Sequence, residues 1–230
     1  MELAGRNVLV VGATGAFGSD FASRLGAAGA RVSGTASSPE SSVRLAADLN
    51  RRLILDLTNS ASIKAVTDYL LASAEPIAGI ILASGLVAFG SMAETPPEVS
   101  NLLMQVNAVG QMNLVAGLMP LLIQSAEVGH QPFVLSISGV ISEMPMAGLA
   151  AYSASKTALY GYSVAAAKEL KKAGIRWIDA RPPHTESGLA SRAVFGTAPN
   201  FGAGKAVDAV VGRMLTAIVN DEKDLPTSAF

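Results

Sequence analysis

The sequence contains no cysteine, so disulfides and thiolate chemistry are excluded and nothing is said about redox compartment. Histidine is nearly absent as well. With only His130 and His184, a histidine-based metal site is not expected, and no residue is assigned to a metal. Charge is sparse. Asp, Glu, Lys and Arg make up 15% of the 230 residues and the net charge is −1, which leaves no basic field for nucleic acid. The N-terminus lacks the charged, apolar and small-residue order of a signal peptide. Between Val99 and Ala126 there is no charge at all, a length that could span a bilayer. However, Asn101, Gln105, Asn107, Gln111, Asn113 and Gln124 interrupt it, and those amides would be costly in lipid. The stretch reads as a buried or interface helix of a cytoplasmic protein, with no membrane partner.

What the chain has instead is apolar material, half of all residues. A sheet buried on both faces, or surface hidden in an oligomer, accounts for such a share. Short β-branched runs recur at residues 7–11, 31–36, 52–56, 77–83, 131–138 and 175–181. Helical patterns separate them, including one from the Ser37–Glu40 turn to about Asn50 and one from Ser60 to Ala74. A helix carrying Tyr152 runs to Lys172, and another covers 205–219. The last residues, 225–230, add at most a short edge strand. Sixfold alternation predicts an α/β fold: a doubly wound, Rossmann-type, mostly parallel sheet of six to seven strands with helices on both faces. Nothing resembles a linker, so residues 1–230 are expected to form one dinucleotide-binding and catalytic domain. Residues 186–204 are expected to be a loop or loose helix covering the substrate.

The turn after the first strand reads Gly12-Ala13-Thr14-Gly15-Ala16-Phe17-Gly18. A Gly-rich turn that leaves a strand and opens a helix suits a pyrophosphate at the helix N-terminus. The second strand ends Thr35-Ala36-Ser37-Ser38 without Asp or Glu. A carboxylate there would favour NAD, so its absence favours NADP(H) over NAD(H), with hydroxyls and Arg44 or Arg31 as phosphate partners. Asp56 and Leu57 suit the adenine, although Asp56, Thr58 or Ser60 would also serve as the N-cap of the next helix.

Tyr152 and Lys156 are four residues apart, on one face of a helix. An ammonium near the phenol lowers its pKa, which makes the pair a candidate acid/base unit. Taken together, Gly12-x-x-x-Ala16-x-Gly18, Asp56, Asn107, the Ser-rich end of the fifth strand, Tyr152-x-x-x-Lys156 and the Pro turn after the sixth strand resemble the classical short-chain dehydrogenase/reductase family. The resemblance covers nearly the whole chain, and residues 26–36 are similar to NADP-using ketoacyl reductases of that family. It implies that Tyr152 exchanges a proton with the substrate oxygen and that Lys156 assists it and holds the nicotinamide ribose. Asn107 would interrupt its helix and anchor a water, while Pro182, Thr185 and Ser187 would border the nicotinamide. Hydride would pass between the nicotinamide and a carbonyl or secondary alcohol. Ala83, Ser84 and Gly85 stand where the family has Asn-Ala-Gly, which implies altered bracing of the sheet.

One departure is sharper. Thirteen residues before Tyr152, where the family carries its catalytic serine, this chain has Gly139, and Ser138 lies one position earlier. Ser138 takes the role through a one-residue bulge, or Ser142 or His184 substitutes, or the site is impaired. The last possibility motivates a second reading, a catalytically weak NAD(P)-binding sensor or structural module. Met144, Pro145, Met146, Leu149, Leu189 and Phe195 form the expected substrate wall, with Arg192 as its one cation. An apolar substrate fits such a wall. The apolar helices predict a homodimer or homotetramer.

Overall fold

A computed structural model describes residues 3–230. Its centre is a seven-stranded sheet, parallel throughout: β1 (Asn7–Val11), β2 (Arg31–Ala36), β3 (Arg51–Ile54), β4 (Ile77–Leu82), β5 (Phe133–Ile137), β6 (Arg176–Ala180) and β7 (Asp224–Leu225). The spatial order is β3-β2-β1-β4-β5-β6-β7, so the chain reverses direction across the sheet between β1 and β4. Ligands of open α/β sheets settle at such a reversal, beyond the carboxyl ends of the strands.

Alternate residues explain why both faces are covered. Val8 and Val10 of β1, with Phe133, Leu135 and Ile178, pack toward α1 (Ala16–Ala27) and, late in the chain, Val210, Val211 and Met214 of the last helix. Leu9, Val11, Ile80, Leu82 and Val134 face the other way. There they meet α3 (Ser60–Ala72) and, after the four-residue α2 (Pro39–Ser42), the stretch made of α4 (Pro97–Met104) and α5 (Gly110–Glu127). The same layer holds α6 (Ala150–Leu170), and α7 (Val207–Val219) completes the first layer. Each fully buried Val, Leu, Ile or Phe contributes roughly 1.5–3 kcal/mol, so two such layers hold the sheet.

The strand expectations hold to within two residues, and the final residues do supply a two-residue edge strand. The helix expected to reach Asn50 stops at Ser42 instead. Ser41 and Ser42 turn their hydroxyls onto the carbonyls of Ser38 and Pro39, at 3.0 and 2.6 Å, and Val43 is exposed. Those hydroxyls compete for the carbonyls of the turn, so the helix does not propagate, although Leu45 and Leu49 beyond it still pack against the core. The cap of α3 is also different from the three residues considered: Asn59 Oδ1 accepts from the amides of Ala61 and Ser62.

Between α4 and α5, residues Gln105–Val109 form a π turn. Helix and π turn together span residues 97–127, long and apolar enough by composition to cross a membrane, but half of the most apolar window is buried within the protein. The interruption expected at Asn107 is therefore present, and it is a widened turn in a continuous helical run.

Candidate active site

A pocket of ≈ 290 Å³ opens at the carboxyl ends of β1, β4, β5 and β6. One end is built by the turn from β1 into α1. Gly15 caps α1 without any side-chain bond, so the first amides of the helix have no side-chain acceptor at the cap. The turn is held from the neighbouring strand: Thr35 Oγ1 accepts from Gly12 N at 3.0 Å and its carbonyl accepts from Ala13 N at 2.9 Å. Gly18 is fixed by space. A Cβ there would lie 2.2 Å from the Gly12 carbonyl oxygen, so only glycine lets α1 approach the turn this closely. An uncapped helix start over a glycine-only contact suits a pyrophosphate, and the residues present fit a dinucleotide.

Of the residues expected at a cofactor, Gly15, Ala16, Phe17, Ala83, Ser84, Gly85, Tyr152, Lys156, Pro182, Thr185 and Ser187 line this pocket. Gly12, Thr14, Gly18, Ala36, Ser37, Asp56 and Leu57 are not on its lining. Asp56 Oδ1 accepts from the Thr58 amide and hydroxyl, at 2.8 and 2.7 Å. Arg31 lies at the wrong end of the sheet for a phosphate. It pairs with Asn7 at the amino end of β2 and bonds Glu75 at 3.3 Å. Arg44, beside the β2 end, is exposed.

Asn107, on the π turn, accepts from Leu86 N at 2.8 Å and donates to Leu86 O at 2.9 Å and Ser155 Oγ at 3.0 Å. Gln111, fully buried one turn later, donates to Ser84 O at 3.1 Å and Val106 O at 2.9 Å. Together they clamp residues 84–86, which carry the pocket floor. Gln111 escaped the sequence reading, which saw it only as an amide in an apolar run.

Tyr152 and Lys156 come from the first turns of α6. Tyr152 is half-buried and borders the pocket, and desolvation pushes its hydroxyl up to about 12. The expected lowering by Lys156 does not overcome that burial. Lys156 donates to the Ile137 carbonyl at 2.8 Å; burial pushes it down to about 8, against the opposing pull of Asp179. The phenol is thus an acid that keeps its proton at neutral pH, beside an amine poised close to neutrality.

Ser138 borders the pocket, but it is fully buried. Its hydroxyl donates to Asp179 Oδ1 and accepts from Ser142 Oγ at 3.0 Å. Gly139 has φ +75° and ψ 165°, a combination only glycine adopts without strain, so a serine is disfavoured thirteen residues before Tyr152. Ser142 is not on the pocket lining. His184 is, with its ring 5.2 Å from that of Phe201.

The apolar wall is partly as expected. Met146, Leu149, Leu189 and Arg192 line the pocket, whereas Met144, Pro145 and Phe195 do not. Met144 points outward, and the Phe195 carbonyl accepts from Phe89 N at 2.9 Å. Val87, Phe89, Ile141 and Phe201 take their places. Residues 186–204 contain one 3-10 turn, Ala190–Arg192, and their ends are pinned where Lys205 pairs with His184 and Glu186. Among the described residues, no three His, Asp or Glu side chains cluster as metal ligands.

The family profile described as short chain dehydrogenase matches residues 6–194. A 3-ketodihydrosphingosine reductase of Bacteroides thetaiotaomicron is 29% identical over 163 residues, covering 71% of this chain; the chain spans only 58% of that relative's length. A 3-ketoacyl-(acyl-carrier-protein) reductase from Brucella melitensis, solved with NADH, superposes with a TM-score of 0.86 at 20% identity, covering 99% of each chain. A short chain dehydrogenase from Burkholderia cenocepacia, solved with NADP, gives 0.83 at 20% identity, covering 98% of this chain and 89% of the other.

Proposed function

Because the chain belongs to the short-chain dehydrogenase family, we propose that it reduces a carbonyl on a largely apolar substrate, or oxidises the matching secondary alcohol, with NADP(H) favoured over NAD(H). The observation that carries this reading is Tyr152 on the wall of a pocket whose other end is the uncapped start of α1. The bound nicotinamide supplies or accepts the hydride. The protein's part is proton handling and placement. Tyr152, protonated at neutral pH, donates its proton to the carbonyl oxygen as negative charge develops there. Lys156 stands one turn away to stabilise the phenolate left behind; Ala16 and Phe17, at the start of α1, offer amides to the pyrophosphate, while the Gly15 amide holds the Gly12 carbonyl at 3.0 Å. Asn107 holds residue 86 and Ser155, and so fixes the floor on which Lys156 rests. Ala83, Ser84, Gly85, Pro182, Thr185 and Ser187 frame the nicotinamide; Ala36 and Ser37, with no carboxylate among them, leave room for a 2′-phosphate. Asp56 and Leu57 are assigned to the adenine. Residues 186–204 cover the substrate, whose apolar skeleton lies against Val87, Phe89, Leu149 and Phe201. The reading extends to residues 1–230 as one cytoplasmic domain that assembles as a homodimer or homotetramer.

A panel of ketones and β-keto thioesters with NADPH or NADH, followed by absorbance of the reduced nicotinamide, tests the reading. Turnover is expected with NADPH, and Tyr152→Phe is expected to lose at least about a hundredfold in kcat while still binding cofactor. Full turnover by Tyr152→Phe would remove the assigned role. A second reading, a sensor that binds the cofactor with little turnover, is favoured by one observation: the Ser138 hydroxyl is occupied by Asp179. Tight cofactor binding with no turnover on any carbonyl is its signature.

A further inference from the structure

The segment Trp177-Ile178-Asp179-Ala180-Arg181 places two opposite charges on one face of a strand buried on both sides. That face looks toward α6. Asp179 is 4% exposed and Arg181 2%. Asp179 pairs in register with Ser136 and receives the hydroxyls of Ser136, at 2.6 Å, and Ser138. Trp177 Nε1 in turn donates to Ser136 Oγ at 2.9 Å. Arg181 reaches Asp179 at 3.2 Å and also binds Glu143 and Asp224, while its guanidinium lies 4.6 Å from the centre of the Tyr160 ring. On the helix above, Tyr152, Lys156 and Tyr160 follow one another at intervals of four, a single stripe. The stripe and the strand face meet as a buried polar seam, with Lys156 bonded to the carbonyl between Ser136 and Ser138.

We propose that Asp179 is a positioning residue of this pocket, which holds the Ser138 hydroxyl turned inward and stands as the buried counter-charge of Lys156. A carboxylate taken this far from water is tolerable only if paired, and three donors pair it. Its opposition to Lys156 has a direct reason. Lys156 is 5% exposed and its own hydrogen bond goes to a neutral carbonyl. The charged and titratable groups of the seam are Asp179 from β6 and Arg181 just beyond its end, Glu143 just after the 3-10 turn Val140–Ser142, Asp224 from β7, and Tyr152 and Tyr160 from α6 itself. Arg181 engages all three acids, but Asp179 alone among them also holds the hydroxyls of Ser136 and Ser138, on either side of the Ile137 carbonyl that Lys156 binds, which sets it as the acid beside Lys156. Burial alone would carry the amine further toward its neutral form; Asp179 opposes this.

The inference builds on the oxidoreductase reading for its significance, but its test needs neither cofactor nor turnover. In protein labelled with 15N-lysine, the Lys156 Nζ resonance is identified by its loss in Lys156→Met. In Asp179→Asn its titration midpoint is expected to fall from about 8 by about one unit. An unchanged midpoint in a folded variant overturns the proposal. If Asp179→Asn does not fold, the wild-type protein decides: the Asp179 carboxyl 13C resonance, assigned through its backbone, is expected to inflect at the Lys156 midpoint, and a flat trace there overturns the proposal. In active enzyme, the alkaline limb of the kcat–pH profile of Asp179→Asn is expected to move to lower pH, which a purely structural role would not produce. A wild-type protein with the coupled titration but no turnover would sink the oxidoreductase reading alone.

Discussion

At the scale of the residue, the site is defined by two groups displaced in opposite directions. Tyr152 is raised to about 12 and Lys156 lowered to about 8, both by burial first. Their spacing was legible in the sequence because the helix repeat makes it so; their displacement was not, because burial is a property of the packed fold. The displacement of Lys156 has a thermodynamic sign. Between pH 8 and 10.5 the unfolded chain binds a proton there that the native chain has released, so this group raises stability as pH climbs through that window. Below pH 8 both states are charged and the cost of burying the ammonium is carried in full. In urea unfolding without cofactor, the wild-type unfolding free energy minus that of Lys156→Met should grow by about 2–3 kcal/mol from pH 7.5 to 10. A difference that stays level would mean that Lys156 is not desolvated. Asp179 and Arg181 were also readable in part: opposite charges two apart in an apolar strand share a face, and a doubly covered sheet leaves that face no water. What a sequence cannot show is which helix lies over them.

The elements divide by how locally they are determined. The six β-branched runs announced six strands, because a parallel sheet covered on both sides needs apolar residues at successive positions. The extent of α2 was misjudged because the hydroxyls of Ser41 and Ser42 compete for its carbonyls, and Leu45 and Leu49, although at helical spacing, reach the core without it. The π turn followed from resemblance at Asn107, yet the brace beside it did not, because Gln111 finds its partners in Ser84 and Val106 only after the helix has docked. Its Oε1 is buried without a partner, so the amide is retained for its donors. Gln111→Leu is expected to lower the unfolding free energy by about 1–3 kcal/mol with an unchanged denaturant slope. A loss below about 0.5 kcal/mol would show that residues 84–86 hold their course unaided.

For the whole molecule, the alternation of strands and helices was enough to predict a doubly wound parallel sheet, since handedness leaves few ways to stack such units; the reversal between β1 and β4, where the pocket opens, emerged only from the fold. The composition of the pocket wall was less accessible. Val87 and Phe89 come from the connection after β4, and their backbone bonds go to Val194 and Phe195, over a hundred positions later. Assembly belongs to this scale too. Ile123 on α5 and Val164 on α6 are exposed on helices that carry few charges, the motive for expecting a homodimer or homotetramer. Sedimentation velocity at micromolar concentration should return twice or four times the chain mass, and a monomer would overturn that expectation. One feature reaches beyond any single measurement. Arg181 ties the carboxylates of three separate segments to the rear of the pocket, so its loss strands a buried anion, whereas losing Asp179 leaves it two partners. The order in which substitutions arrive then matters to descent: lineages can discard Asp179 first and Arg181 afterwards, but scarcely in the reverse sequence.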